Sequence, residues 1–163
     1  EGVSFMKGSK EVVEALNEVL AGELVAINQY FLHGKMCASW GFQALAAQMR
    51  TESIEEMRHA EQIVDRILFL DGLPNLQRLD KLHVGETVPE QLKSDLALEQ
   101  HAIARLREAM TVCRDKGDRT SEDLVAAILA AEERHVDWIE TQLGLIDKIG
   151  EKHYLASQVG TGA

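Results

Sequence analysis

Proline is nearly absent from this chain of 163 residues: Pro74 and Pro89 are its only two, and they flank a single stretch. Proline breaks a helix interior by removing a donor and clashing with the preceding turn, so the remainder of the chain is free to form long helices. Cysteine is equally scarce. Cys37 and Cys113 stand far apart with no Cys-x-x-Cys pair, which argues against a disulfide framework and a thiolate zinc site. Each is expected to pack as a small apolar residue, and a reducing cytoplasm suits them. No apolar run approaches the length of a membrane span, Ile67 to Leu70 being typical, so no membrane is expected among the partners. Glu1 to Lys10 carries no signal-peptide core. Basic residues are few, 17 against 27 acidic ones, for a net charge of −10. Such a surface repels a polyanion, which argues against nucleic acid as a partner and favours cations.

What is present is helical periodicity, punctuated by glycines at 41, 72, 85 and 117. Val12, Leu16, Val19, Leu20, Ile27, Tyr30 and Phe31 follow a 3.6-residue period and predict a helix over 10–39, with Ser9 as N-cap. A second helix is expected over 42–71, ended by Gly72 as the C′ residue and by Pro74. Thr87-Val88-Pro89-Glu90 is a capping box that starts a third helix, over 88–116. Thr120-Ser121-Glu122-Asp123 reads as another box, opening a fourth over 121–149, and a short fifth helix is expected over 151–158. The stretch 73–88 has no clear periodicity and is long for a connection. Short links elsewhere make antiparallel pairs. One long crossover then gives an all-α four-helix bundle of the ferritin-like kind, one domain over 1–163.

A ligand pattern occurs twice. Glu23 precedes Glu56-Met57-Arg58-His59 by 33 residues, and Glu99 precedes Glu132-Glu133-Arg134-His135 by the same 33. Every member of the second set is the first shifted by 76. The i, i+3 spacing puts each Glu beside its His on one helix face. The four carboxylates sit within apolar stripes, for example Leu92, Leu96, Glu99, Ile103 and Leu106. Unpaired buried carboxylates cost several kcal/mol each, and Arg66 is the only cation near these stripes. Two divalent metal ions resolve the conflict. A shell of carboxylates and imidazoles suits iron or manganese rather than calcium. The oxidisable aromatics Tyr30 and Trp40 tip the expectation to iron. His33, His83, His101 and His153 have no repeat-related partners and are expected to be ordinary hydrogen-bonding groups.

From Met6-Lys7-Gly8 to Tyr154-Leu155 the chain resembles the bacterioferritins. The resemblance is carried by residues 23–33 (Glu-Leu-Val-Ala-Ile-Asn-Gln-Tyr-Phe-Leu-His), Glu55 to Ala60, Arg66 to Leu70, Gly72 to Gln77, and His135 to Glu140. It implies a homo-oligomeric hollow shell of twenty-four subunits built from two-fold dimers, each subunit with a di-iron ferroxidase centre. That centre would oxidise Fe(II) with dioxygen or peroxide, and the ferric product would be stored in the cavity. Glu23 and His59 would be terminal ligands to one iron, Glu99 and His135 to the other, and Glu56 and Glu132 would bridge, with Tyr30 beside them. Met57 matches the family's haem b ligand at the two-fold interface. Read by its position alone, one residue past Glu56 and about 100° from the metal face, it is rather an interface-packing methionine, and it is the resemblance that favours haem. A ferredoxin as electron donor for iron release and a cytoplasmic location also follow from the resemblance. An accessory iron site, which in some members pairs a histidine with an acid at Glu55, is not expected, because Thr51 stands where that histidine would be.

Two other functions use the same ligands: a di-iron oxidase or peroxidase of a smaller oligomer, and a bundle in which the metals only support the fold. The lack of a Cys-x-x-Cys electron-transfer module argues against the first.

Overall fold

The structure, a computed structural model, describes residues 8–160. The expected domain over 1–163 and the Met6-Lys7 start of the family-like stretch extend beyond these residues. The chain forms α1 (Lys10–Ser39), α2 (Gln43–Phe69), α3 (Val88–Asp115), α4 (Arg119–Ile149) and α5 (Glu151–Ser157). The four long helices make the bundle: α1 packs on α2 and on α3, and α3 packs on α4. Among the described residues no helix is long and apolar enough to cross a membrane.

The helix ends show which local signals act. Ser9 caps α1 by accepting from the Val12 amide at 3.1 Å. Thr87 caps α3 by accepting from Glu90 N, and Glu90 reaches back to accept from Glu86 N at 2.9 Å. The expected Thr120 box does not form. Asp118 accepts from Ser121 N at 3.0 Å instead, so α4 begins at Arg119. The stop of α2 also differs from expectation: Asp71, with φ 63°, takes the left-handed C′ position. The amides of Asp71 and Gly72 close on Leu68 O and Ile67 O, a Schellman motif. Glycine is needed at 72 because a Cβ there would lie 2.7 Å from the Val13 side chain.

The crossover runs alongside α1 and is tied to it step by step. Asn17 donates to Leu73 O and accepts from Asn75 N, Arg78 pairs with Glu18, and Gln29 Oε1 accepts from His83 N. At its end the Gly85 amide donates to His33 Nε2 at 3.0 Å. A Cβ on Gly85 would lie 2.3 Å from Gln91 N, so only glycine allows this approach. Asn17, Glu18, Gln29 and His33 follow one another up α1 as the crossover advances, so the connection spans the bundle lengthwise.

Two apolar clusters fill the interior. One holds Leu16, Leu20, Ile63, Ile67, Leu106 and Ile128. The other holds Tyr30, Leu45, Met49, Leu92, Ile139 and Tyr154. On every helix the charged members of the doubled pattern fall between these two sets. A polar layer therefore crosses the bundle, closed above and below by hydrocarbon. Cys37 and Cys113 are buried and unpaired, as expected of small packing residues.

Candidate metal centre

Helix periodicity delivers the side chains to that layer. Glu23 comes from α1, Glu56 and His59 from α2, Glu99 from α3, and Glu132 and His135 from α4. All six are buried. They fall into two groups of donor atoms, each within 4.8 Å of one another: Glu23, Glu56, His59 and Glu132, and Glu56, Glu99, Glu132 and His135. Glu56 and Glu132 belong to both. His59 Nδ1 lies 3.1 Å from Glu132, 3.5 Å from Glu23 and 3.6 Å from Glu56. His135 Nδ1 lies 3.1 Å from Glu56, 3.4 Å from Glu132 and 3.5 Å from Glu99. The shift of 76 in sequence is thus a near two-fold relation in space.

These atoms face common points rather than one another. Glu23 Oε2, Glu56 Oε1, Glu99 Oε2, both Glu132 oxygens and the Nδ1 atoms of His59 and His135 are buried without a hydrogen bond. So many unsatisfied polar atoms in one dry layer are an arrangement that only bound cations make tolerable. The donor set fits a pair of first-row transition ions, two carboxylates being placed to bridge.

Without metal, protons take over part of that task. Burial, and the charges of Glu56 and Glu132, hold the Glu23 carboxyl well above the usual range. Burial and the contact with Glu132 do the same to Glu99. Burial would lower the His59 imidazole, but its contacts to Glu132, Glu23 and Glu56 outweigh that and push it up to about 12. His135 is raised in the same way, burial being overcome by Glu132, Glu52, Glu56 and Glu99. Burial would raise Glu132, but contacts from Glu99, His135 and His59 hold it low.

Tyr30 is buried beside the centre and donates its phenol to Glu99 Oε1 at 2.6 Å. Burial, then the charge of Glu99, keeps that phenol protonated far above its ordinary range. Met57 lies outside the layer, half exposed on the far side of α2. Trp40 takes no part: it caps the end of α1 and is 39% exposed. Arg66 is also elsewhere, bonded to Asp118 and Ser121 and lying over the Phe69 ring. The one arginine expected near the stripes thus does not reach the glutamates.

Two carboxylates were not anticipated as part of the site. Glu52 Oε2 lies 2.5 Å, and Glu55 Oε2 3.0 Å, from His135 Nε2, the ring nitrogen turned away from the metal-facing side. Carboxylates in that position orient an imidazole and raise its basicity. The signal for Glu52 was its place on the α2 stripe, one turn before Glu56. Thr51 is exposed and bonds the Ala47 carbonyl, while Glu52, Glu55 and His135 make a third group of donor atoms within 4.8 Å of one another.

Comparison with known proteins agrees with this geometry. A Ferritin-like domain family matches residues 13–149. Bacterioferritin BfrA of Mycobacterium tuberculosis (strain H37Rv) is 54% identical over 154 residues, covering 94% of this chain and 97% of its own length. The bacterioferritin of Streptomyces coelicolor is 53% identical over 154 residues, 94% of this chain and 92% of its own. That of Brucella melitensis is 46% identical over 149 residues, 91% and 92% respectively.

Proposed function

The chain belongs to the ferritin-like family and, within it, to the bacterioferritins, and from that premise we propose that it is an iron-storage ferroxidase with two irons held in the polar layer. The observation that carries the reading is the pair of overlapping donor groups that share Glu56 and Glu132 in a dry interior. Glu23 and His59 would hold one iron and Glu99 and His135 the other, with Glu56 and Glu132 available to both. When bound, the iron pair supplies the route by which Fe(II) gives electrons to dioxygen or peroxide. The protein's part is to fix the ligands before metal arrives. Tyr30 pins one Glu99 oxygen, Glu52 and Glu55 hold the His135 ring, and the apolar clusters on either side exclude bulk water.

Storage requires a shell, and one domain over 1–163 is the unit we assign to it. Phe31, Ile54, Met57, Leu73 and Leu76 are large apolar side chains left exposed on the single subunit, which is what assembly surfaces supply. A shell of twenty-four subunits of 18.1 kDa has a mass of about 430 kDa. Sedimentation tests this directly, and a small oligomer would point instead to an oxidase acting on another substrate. We place the protein in the cytoplasm, with a ferredoxin as electron donor for iron release.

Haem b is assigned to Met57. The thioether is half exposed, one turn along α2 from exposed Ile54. Ile54 and Phe31 line a groove of about 420 Å³ between α1 and α2, so the residues present suit an apolar macrocycle shared with a second subunit. Met57→Leu should remove the methionine-ligated haem absorbance and reduce bound haem to background after reconstitution. An unaltered spectrum would reject the assignment.

Metal loading should release protons. In the metal-free protein the His59 imidazole is pushed up to about 12 and His135 is raised with it, while Glu23 and Glu99 are held well above the usual carboxylate range. Binding two divalent ions at pH 7 should therefore expel protons, those of the two imidazoles first, and affinity should fall as pH drops. Calorimetry with Zn(II) in two buffers of different ionisation enthalpy measures the number. Release near zero would contradict the ligand set.

A further inference from the structure

The doubled pattern carries a residue that metal binding leaves unused. Both copies read Glu-x-Arg-His, so Arg58 precedes His59 on α2 and Arg134 precedes His135 on α4. One residue along a helix turns a side chain by about 100°, which takes both arginines off the metal-facing side. Both are exposed, and both line a single cleft of about 500 Å³ between α2 and α4. Among the described residues neither guanidinium has an ion pair.

The same cleft reaches the metal layer. His59 lies in its wall, and so does Glu55, its only lining carboxylate. Glu55 is directed at the histidines, 3.0 Å from His135 Nε2 and 3.9 Å from His59 Nε2. It does not neutralise the arginines. Gln62 adds a further side-chain amide to the wall. Two guanidinia from different helices, without an ion pair among the described residues, line one opening of a chain whose net charge is −10. Guanidinium forks match tetrahedral oxyanions in a way lysine does not.

We propose that Arg58 and Arg134 form an oxyanion-binding site, with inorganic phosphate as its ligand, at the mouth of the passage to the metal centre. Each arginine supplies one fork to the anion, which neutralises the like charges facing each other across the cleft. The binding needs no metal. Its role, which rests on the ferroxidase reading, is to hold phosphate where ferric ions leave the centre, so that the mineral takes up the anion as it forms.

The test uses the assembled, metal-free protein in chloride buffer, with inorganic phosphate followed by ³¹P relaxation and calorimetry. Wild type should bind phosphate saturably, with sulfate competing. Arg58→Gln and Arg134→Gln should each weaken binding at least about tenfold, and the double variant should abolish it. Arg107→Gln, at an exposed arginine on α3 outside the cleft, should leave it unchanged. No saturable binding, an equal loss in Arg107→Gln, or dependence on only one of the two cleft arginines would each overturn the site. Because no metal is present, these outcomes are independent of whether the ferroxidase assignment holds.

Discussion

Glu56→Ala should lower the initial rate of Fe(II) oxidation in air by at least about a hundredfold, the scale expected when a charge-stabilising group is removed from a preorganised site. The size follows from position. Glu56 belongs to both donor groups and lies 3.1 Å from His135 and 3.6 Å from His59. Its loss would remove a donor from both groups, whereas Glu23 and Glu99 each belong to one. Glu23→Ala should accordingly leave one ion bound and cost less. Shortening the side chain also relieves crowding in the metal-free layer, where the Glu56 charge helps to raise Glu23. The metal-free variant should therefore fold and assemble. Stopped-flow absorbance of the ferric product, with particle mass as a control, separates the outcomes. Wild-type rates in a correctly assembled Glu56→Ala shell would refute the centre.

The centre was legible in the sequence because its logic is local. A carboxylate inside an apolar stripe is a contradiction that any helical wheel exposes, and the 33-residue spacing repeated the contradiction in register. The third helix's cap was equally local, since Thr87 and Glu90 are three residues apart. Features that depend on side chains meeting across the bundle were not readable. Glu52 and Glu55 were visible on α2, but their attachment to His135 depends on where α4 lies, 80 residues away for Glu55. Trp40 looked like a companion to Tyr30, yet at the end of α1 it faces solvent and misses the layer. The fourth helix begins two residues early because Asp118, fixed by Arg66 from α2, outcompetes Thr120 as cap. The arginines were read only as the x of Glu-x-x-His. Their role needed the cleft, which no single helix contains.

The buried partner of His33 was also invisible in the chain, and it supports the second large prediction: Asp95→Ala should cost about 3–5 kcal/mol and lower the melting temperature on the order of 10 °C. His33 and Asp95 are 62 residues apart and fully buried. The Gly85 amide donates to His33 Nε2, so the ring proton is on Nδ1 and is given to Asp95 Oδ1 at 2.9 Å. Gln29 Nε2 donates to the same oxygen at 2.8 Å, and Gln29 Oε1 receives the His83 amide. One carboxylate oxygen thus orients both side chains that fasten the end of the crossover. Alanine leaves two buried donors without an acceptor in a layer that water does not enter. Asp95→Asn keeps an acceptor oxygen and should lose about half as much. The readout that distinguishes this latch from general packing is local. Amide exchange at His83 and Gly85 should accelerate far more than exchange in α4, because those amides lose oriented acceptors while the distal helix keeps its own. Asp95 also lies one turn before Glu99 on α3, so loosening it should slow Fe(II) oxidation severalfold without abolishing it. Unchanged melting together with unchanged exchange at Gly85 would show that the crossover is held by its contacts to Asn17 and the Arg78–Glu18 pair instead.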